Sequence, residues 1–150
     1  MYSIERLRLE DFHLCNSIWD MERNRSLAER FYSELVSNNR ITFVCNVEGT
    51  FVGEVSLVYD MHDDDYTISG QRIYLSRLIV KKECRRQGIG TALSYHAFRY
   101  AKEYGYTEMA LGVDLDNYAA LKLYHGLGFS QIILVDEDDQ GKYLKLLKLL

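Results

Sequence analysis

Residues 78–93 read LIVKKECRRQGIGTAL. An apolar run ends at Val80, a basic turn follows, and Gly88 and Gly90 stand at the mouth of a helical pattern. In that pattern Ile89, Ala92, Leu93, His96, Ala97 and Tyr100 share one stripe, while Arg99, Lys102 and Glu103 fall off it. Gly105 is placed to end the helix. The first N–H groups of a helix have no partner inside it, and the helix dipole favours negative charge there. The amides of Gln87 to Thr91 are therefore suited to an anion. Arg85 and Arg86 add positive charge, and the glycines permit close approach. A plain glycine turn with solvated arginines would read the same, so the segment alone leaves both readings open.

Two phosphate-binding patterns fail against it. A P-loop requires GxxxxGK followed by Ser or Thr, and no lysine stands at that spacing. A dinucleotide fingerprint requires a third Gly or Ala, but from Gly88 the run is GIGTAL and Leu93 fills that position.

Outward from this segment the chain alternates strands and helices. SIERLRL (3–9) predicts a strand, and Asp11 is placed to cap a helix carrying Phe12, Cys15, Ile18 and Trp19 on one face. A second helix is expected over Leu27 to Val36, with Phe31, Leu35 and Val36 turned inward. ITFVCNV (41–47) and FVGEVSLVY (51–59) read as strands joined by a turn at Glu48-Gly49-Thr50. DMHDDDYTISG (60–70) is a loop, and QRIYLSRLIV (71–80) returns as a central strand. TEMALGV (107–113) is a strand, and Asp116 or Asn117 opens a helix through Tyr124 that closes at Gly126 or Gly128. FSQIILV (129–135) and KYLKLLKLL (142–150) form a final hairpin around DEDDQG. LKLLKLL also fits an amphipathic helix, and its place after a turn favours a strand. The order predicts one α/β domain over residues 1–150, a mixed sheet with helices on its faces.

Composition narrows the function. A chain that is 47% hydrophobic and 27% charged is globular rather than disordered. No apolar run approaches the ~20 residues of a membrane span. MYSIERLRLEDF lacks the apolar core of a signal peptide, so a cytoplasmic protein without a membrane partner is expected. Cys15, Cys45 and Cys84 are widely spaced and odd in number, which suits reduced thiols. His13, His62 and His96 are isolated, so no metal is expected. The net charge is −4, with acid gathered at Asp60, Asp63, Asp64 and Asp65 and again at residues 136–139, which argues against nucleic acid. These acids are either solvated loops or a rim that attracts a cation.

The segment LIVKKECRRQGIGTAL resembles the acyl-CoA-binding motif of the GNAT superfamily of N-acyltransferases. Arg85, Gly88 and Gly90 occupy that family's pattern of Gln or Arg, two residues, Gly, one residue, then Gly or Ala. A second stretch, DLDNYAALKLYHGLGF (114–129), resembles the family's helix with an Asn, an Ala pair, a Leu-Tyr and a closing Gly-Phe. The order of elements matches from end to end. The resemblance implies a GNAT-like single domain, with a central sheet of six to seven strands splayed in the middle and about four flanking helices.

It also implies acetyl-CoA as co-substrate. The pantetheine arm would lie along the backbone of Leu78, Ile79 and Val80. The pyrophosphate would rest on the amides of Gln87, Gly88, Ile89, Gly90 and Thr91 near Arg85 and Arg86. Asn117 would hydrogen-bond the arm and Ala120 would leave room beside it. Tyr124 matches the family's general acid, and the N–H near Ile79 its oxyanion donor. A tyrosine with a reference pKa of about 10 is protonated at neutral pH and can donate to a leaving thiolate. His125 points about 100° away on the same helix, toward solvent. The implied reaction is direct transfer of an acetyl group to a primary amine, so Cys84 is incidental.

For the general base, Glu54 is the first candidate, mid-strand among Val52, Ser56 and Val58. Asp114 is another, Glu22 is placed to bind substrate, and water can serve instead. Tyr59, Tyr66 and Tyr74 are the tyrosines expected in an acceptor pocket. The acidic loops favour a small cationic acceptor, and a protein amine is the next option. The alternative is a non-catalytic acyl-CoA sensor, against which Tyr124 argues. The apolar residues of KYLKLLKLL suit pairing with a second copy in a homodimer.

Overall fold

In the computed structural model, which describes residues 1–150, the apolar alternation of the chain becomes seven strands of one sheet. β1 (Ser3–Arg6) leads through a 3-10 helix (Leu9–Ser17) and α1 (Arg25–Val36) to β2 (Arg40–Val47), β3 (Thr50–Val58) and β4 (Arg72–Val80). A short 3-10 turn (Lys82–Cys84) precedes α2 (Ile89–Glu103), then β5 (Glu108–Asp114), α3 (Tyr118–Gly126), β6 (Gln131–Asp138) and β7 (Gly141–Leu149). The strand order is β1-β2-β3-β4-β5-β7-β6, so β4 is central as its apolar run predicts. β4 and β5 are parallel, whereas β1/β2, β2/β3, β5/β7 and β6/β7 are antiparallel. The ambiguous LKLLKLL is a strand: β7 pairs along both edges, with β5 and β6, and Leu144 to Leu147 are all buried.

Two local expectations are corrected. The first helix is 3-10, starts at Leu9 after Arg8, and is not capped by Asp11. Phe12, Cys15 and Ile18 recur every three residues, which is the period of a 3-10 helix rather than of an α-helix. Trp19 lies beyond its end. Val36 is 54% exposed, because it lies about 100° round the helix from the half-buried Leu35. Phe31 carries the packing of α1 instead.

The chain gathers into two compact units. The first comprises Met1–Val58 and Ser76–Ala97. Leu7, Cys15, Val44 and Phe51 form a core cluster there, with Phe12, Ile18, Met21 and Leu35 packed against it. The β2–β3 hairpin turns through Glu48 and Gly49, both at positive φ (50° and 91°), the geometry whose twist matches paired strands. Gly53 of β3 is the seat of α2: an added Cβ would stand 3.1 Å from Leu93 Cδ1 and 3.2 Å from the Ile79 carbonyl oxygen.

The second unit comprises Tyr59–Leu75 and Phe98–Leu150. Its β5 pairs with β4 over only three residues, Arg72↔Glu108 to Tyr74↔Ala110, and with β7 along its whole length. Phe129 meets Phe98 and Tyr124, with ring centroids 6.0 and 5.9 Å away. No helix in either unit is long and apolar enough to cross a membrane.

Because a backbone carbonyl cannot swing aside as a side chain can, Gly53→Ala is expected to cost about 1–3 kcal/mol of stability. Urea unfolding with an unchanged slope is the check.

Candidate functional site

In the first unit, the basic turn is shaped by its backbone. Arg86 and Gly88 both have positive φ, 65° and 80°. A Cβ at Gly88 would meet nothing within 4 Å, so glycine is needed there for its conformation and not for space. The first bond that closes α2 runs from the Ala92 N–H to the Gly88 carbonyl at 2.9 Å. The N–H groups of Ile89, Gly90 and Thr91 therefore come before any intrahelical acceptor. Ile89 is buried and anchors the turn, while Gln87, Gly88 and Thr91 are exposed. The exposed Arg85 donates through Nε to the Val80 carbonyl at 2.9 Å and ties the turn to the end of β4. Amides without an intrahelical acceptor, a helix dipole and two arginines fit the pyrophosphate of a coenzyme.

Along β4, Leu78, Ile79 and Val80 are half-buried. Arg77 just before them has φ of 61°, a left-handed residue inside a strand. Its guanidinium lies 4.7 Å from the centre of the Trp19 ring, and its buried Nε has no hydrogen-bond partner. The Trp19 indole N–H donates to Glu54 Oε1 at 2.7 Å. Glu54 is 4% exposed, and burial pushes its carboxyl up to about 6 against the opposing pull of Arg77, Trp19 and Arg40. Arg40 is also buried, paired with Glu34 at 3.0 Å and set over the Phe31 ring. Glu54 is thus ionised at neutral pH yet close to its protonation point, the property wanted of a general base. Burial first, and then the charge of Glu54, pushes the Cys15 thiol up.

Glu22 is exposed and lines a different hollow of the same unit, about 790 Å³, with Phe12, Arg25 and Tyr32. Cys84 is half-buried and free.

The second unit holds a cavity of about 490 Å³ that brings together Asn117, Ala120 and Tyr124, with Tyr66, Tyr74 and Asp114 on its walls. Burial first, and then Tyr74, raises the Tyr124 hydroxyl, so it keeps its proton at neutral pH. Asn117 caps α3: its Oδ1 accepts the Ala120 N–H at 3.1 Å, which leaves its amide nitrogen to donate. His125 is exposed, as the helical geometry predicts. Tyr59 does not line this cavity; its hydroxyl is hydrogen-bonded to that of Tyr100, and it borders a separate hollow with Tyr106.

The remaining wall joins Asp63 and Asp138, from the two acidic stretches, to Tyr143 and Lys145, which the sequence does not mark. Lys145 is ion-paired with Asp63 and Asp65. The one hint of Lys145 is a cation inside the apolar run of β7. Arg77 gives no hint, since its left-handed backbone has no signature in residue type. No group of three or more His, Cys, Asp or Glu is placed to hold a metal.

Comparison with known proteins agrees with this geometry. The Acetyltransferase (GNAT) family model matches residues 1–129. Human N-acetyltransferase 8 is 28% identical over 119 residues, which cover 70% of this chain and 52% of that protein. N-alpha-acetyltransferase 30 of Schizosaccharomyces pombe is 35% identical over 88 residues, 59% of this chain and 56% of that protein. The chain spans about half the length of these curated relatives. Among solved structures, aminoglycoside 6'-acetyltransferase type Ii superposes with a TM-score of 0.77 at 21% identity, covering 98% of this chain and 96% of that one. The PaiA N-acetyltransferase of Thermoplasma acidophilum, in complex with coenzyme A, gives 0.71 at 21% identity over 100% of this chain and 99% of that one. At such identities the structures attest the fold. The match over residues 1–129 takes in both the basic turn of α2 and the Asn-to-Tyr helix α3, and the chain belongs to the Acetyltransferase (GNAT) family.

Proposed function

We propose that this chain is an N-acetyltransferase that moves an acetyl group from acetyl-CoA directly to a primary amine, on a small cationic acceptor or a protein amine. The observation that carries the reading is the mouth of α2, where N–H groups that precede any intrahelical acceptor follow an exposed turn with two arginines and no side chain at Gly88. The likeness to an N-acetyltransferase solved with coenzyme A supports it. Three cysteines without a disulfide support a reducing compartment, hence the cytoplasm.

The donor supplies the acetyl thioester. In this reading Gln87 to Thr91, with Arg85 and Arg86, hold its pyrophosphate. The backbone of Leu78, Ile79 and Val80 holds the pantetheine arm. The Asn117 amide nitrogen donates to the same arm, and the small Ala120 gives it room. Glu54 takes the proton that the acceptor ammonium must lose before it can attack. The Ile79 N–H steadies the negative charge on the carbonyl oxygen, and Tyr124 gives its proton to the departing thiolate. Asp114 and Asp138, exposed on the cavity wall, support a cationic acceptor.

Acetyl-CoA at about a hundred times its Kd should stabilise the protein by about 2.7 kcal/mol, read as a rise in melting temperature. Gly88→Val should remove that rise. Binding without CoA release on any of a panel of amines would point to a sensor, and no shift at all would sink the reading. Tyr124→Phe should lower kcat by about 10²–10⁴-fold with acetyl-CoA affinity unchanged. Parallel loss of both would make Tyr124 a binding residue.

Glu54 gives a pH test with a definite sign. Its folded pKa lies above the usual value, so the folded protein holds this proton more tightly than the unfolded chain. Stability should therefore decline by about 2 kcal/mol as pH rises from 4.5 to about 6. Glu54→Gln should flatten that decline in unfolding titrations and erase the acid limb of the rate profile near pH 6.

A further inference from the structure

The acidic loop between β3 and β4 carries four aspartates within six residues, 60–65, yet two of them are already spent on a cation of the chain itself. Lys145 sits in the middle of β7, opposite Gly112 of β5 and Leu134 of β6, and is 7% exposed. Its ammonium donates to Asp63 Oδ2 at 2.8 Å and Asp65 Oδ2 at 3.0 Å, and lies 4.7 Å from the centre of the Tyr66 ring. A buried ammonium is costly unless it is paired, and here every anionic partner comes from one loop. The same Asp63 organises that loop. Its Oδ1 accepts the Asp65 N–H, and its carbonyl accepts the N–H groups of Tyr66 and Thr67.

Tyr66 is thereby fixed on three sides. Lys145 lies over its ring, Tyr74 meets it edge-on at 4.8 Å, and its hydroxyl stands where a side chain of residue 112 would begin. A Cβ at Gly112 would come within 2.5 Å of that oxygen. Tyr66, Tyr74 and Tyr124 line the same cavity.

We infer that Lys145 is a positioning residue: its ammonium latches the acidic loop onto β7 and so sets Tyr66 in the wall that receives the acceptor. The inference rests on reading this cavity as the acceptor side of an acetyltransferase. It also divides the acidic residues by task. Asp63 and Asp65 hold the latch, and Asp114 and Asp138 are left to face the acceptor. The bond from Lys145 keeps Asp63 below the usual carboxylate range, so the pair stays charged at neutral pH.

The test uses the full chain with Lys145→Met and, as a variant that leaves β7 untouched, the double change Asp63→Asn with Asp65→Asn. Hydrogen exchange at the amides of residues 65–67 should quicken about tenfold or more in both. The acceptor KM should rise about tenfold, with kcat and the acetyl-CoA KM within about twofold of the parent. Unchanged exchange in the loop overturns the latch. A loosened loop with an unaltered acceptor KM, or equal losses in both substrates, overturns the positioning role. Exchange requires neither substrate, so the latch is decided even where acetyl-CoA fails to bind, and that failure would count against the activity alone.

Discussion

An α-helix cannot satisfy its own first amides, and this chain sets those of α2 just beyond the basic turn that follows its central strand. Most of the first unit serves that arrangement. Gly53 lets α2 lie close on β3, Ile89 buries itself to fix the first turn, and Arg85 fastens the basic turn to Val80. The helix cannot slide or tilt without moving those contacts. A cradle made of backbone is therefore as rigid as the packing beneath it.

The same unit tolerates a polar interior that would be costly in isolation. Glu54, Arg77 and Arg40 are drawn together under Trp19 and Phe31, and the aromatic faces supply partners that water would otherwise supply. The cluster leaves Glu54 poised and the Arg77 Nε unpaired. Such residual tension is tolerated where surrounding structure fixes the groups in place. The strained φ of Arg77 belongs to the same locality.

Most of the fold was legible because local periodicity carries it. The apolar alternation of β2 and β3 and the stripe of α2 read directly, and the start of α3 reads to within one residue, Asp116 or Asn117, of its Asn117 cap. The departures are local too: the three-residue spacing of Phe12, Cys15 and Ile18 belongs to a 3-10 helix, and Val36 lies one step too far round α1 to be buried. In the candidate site, the basic turn and the set Asn117, Ala120 and Tyr124 can each be named from the sequence because each lies within one short stretch, 85–91 and 117–124. The pairing of Lys145 with Asp63 was not, because 82 residues separate the partners and neither has a neighbour that announces it. Nor could the sequence show that Glu54 is buried beneath an indole, since strand alternation gives a face but not what covers it.

The two glycines of the basic turn are not equivalent. Gly88 has a left-handed backbone with open space around it, whereas a Cβ at Gly90 would sit 3.7 Å from Val80 Cγ2, an ordinary contact. A methyl group is thus disfavoured at the first by torsion and acceptable at the second by clearance. The family's motif has the same asymmetry: glycine alone at the first position, glycine or alanine at the second. Its alphabet can be derived from one dihedral angle and one van der Waals distance.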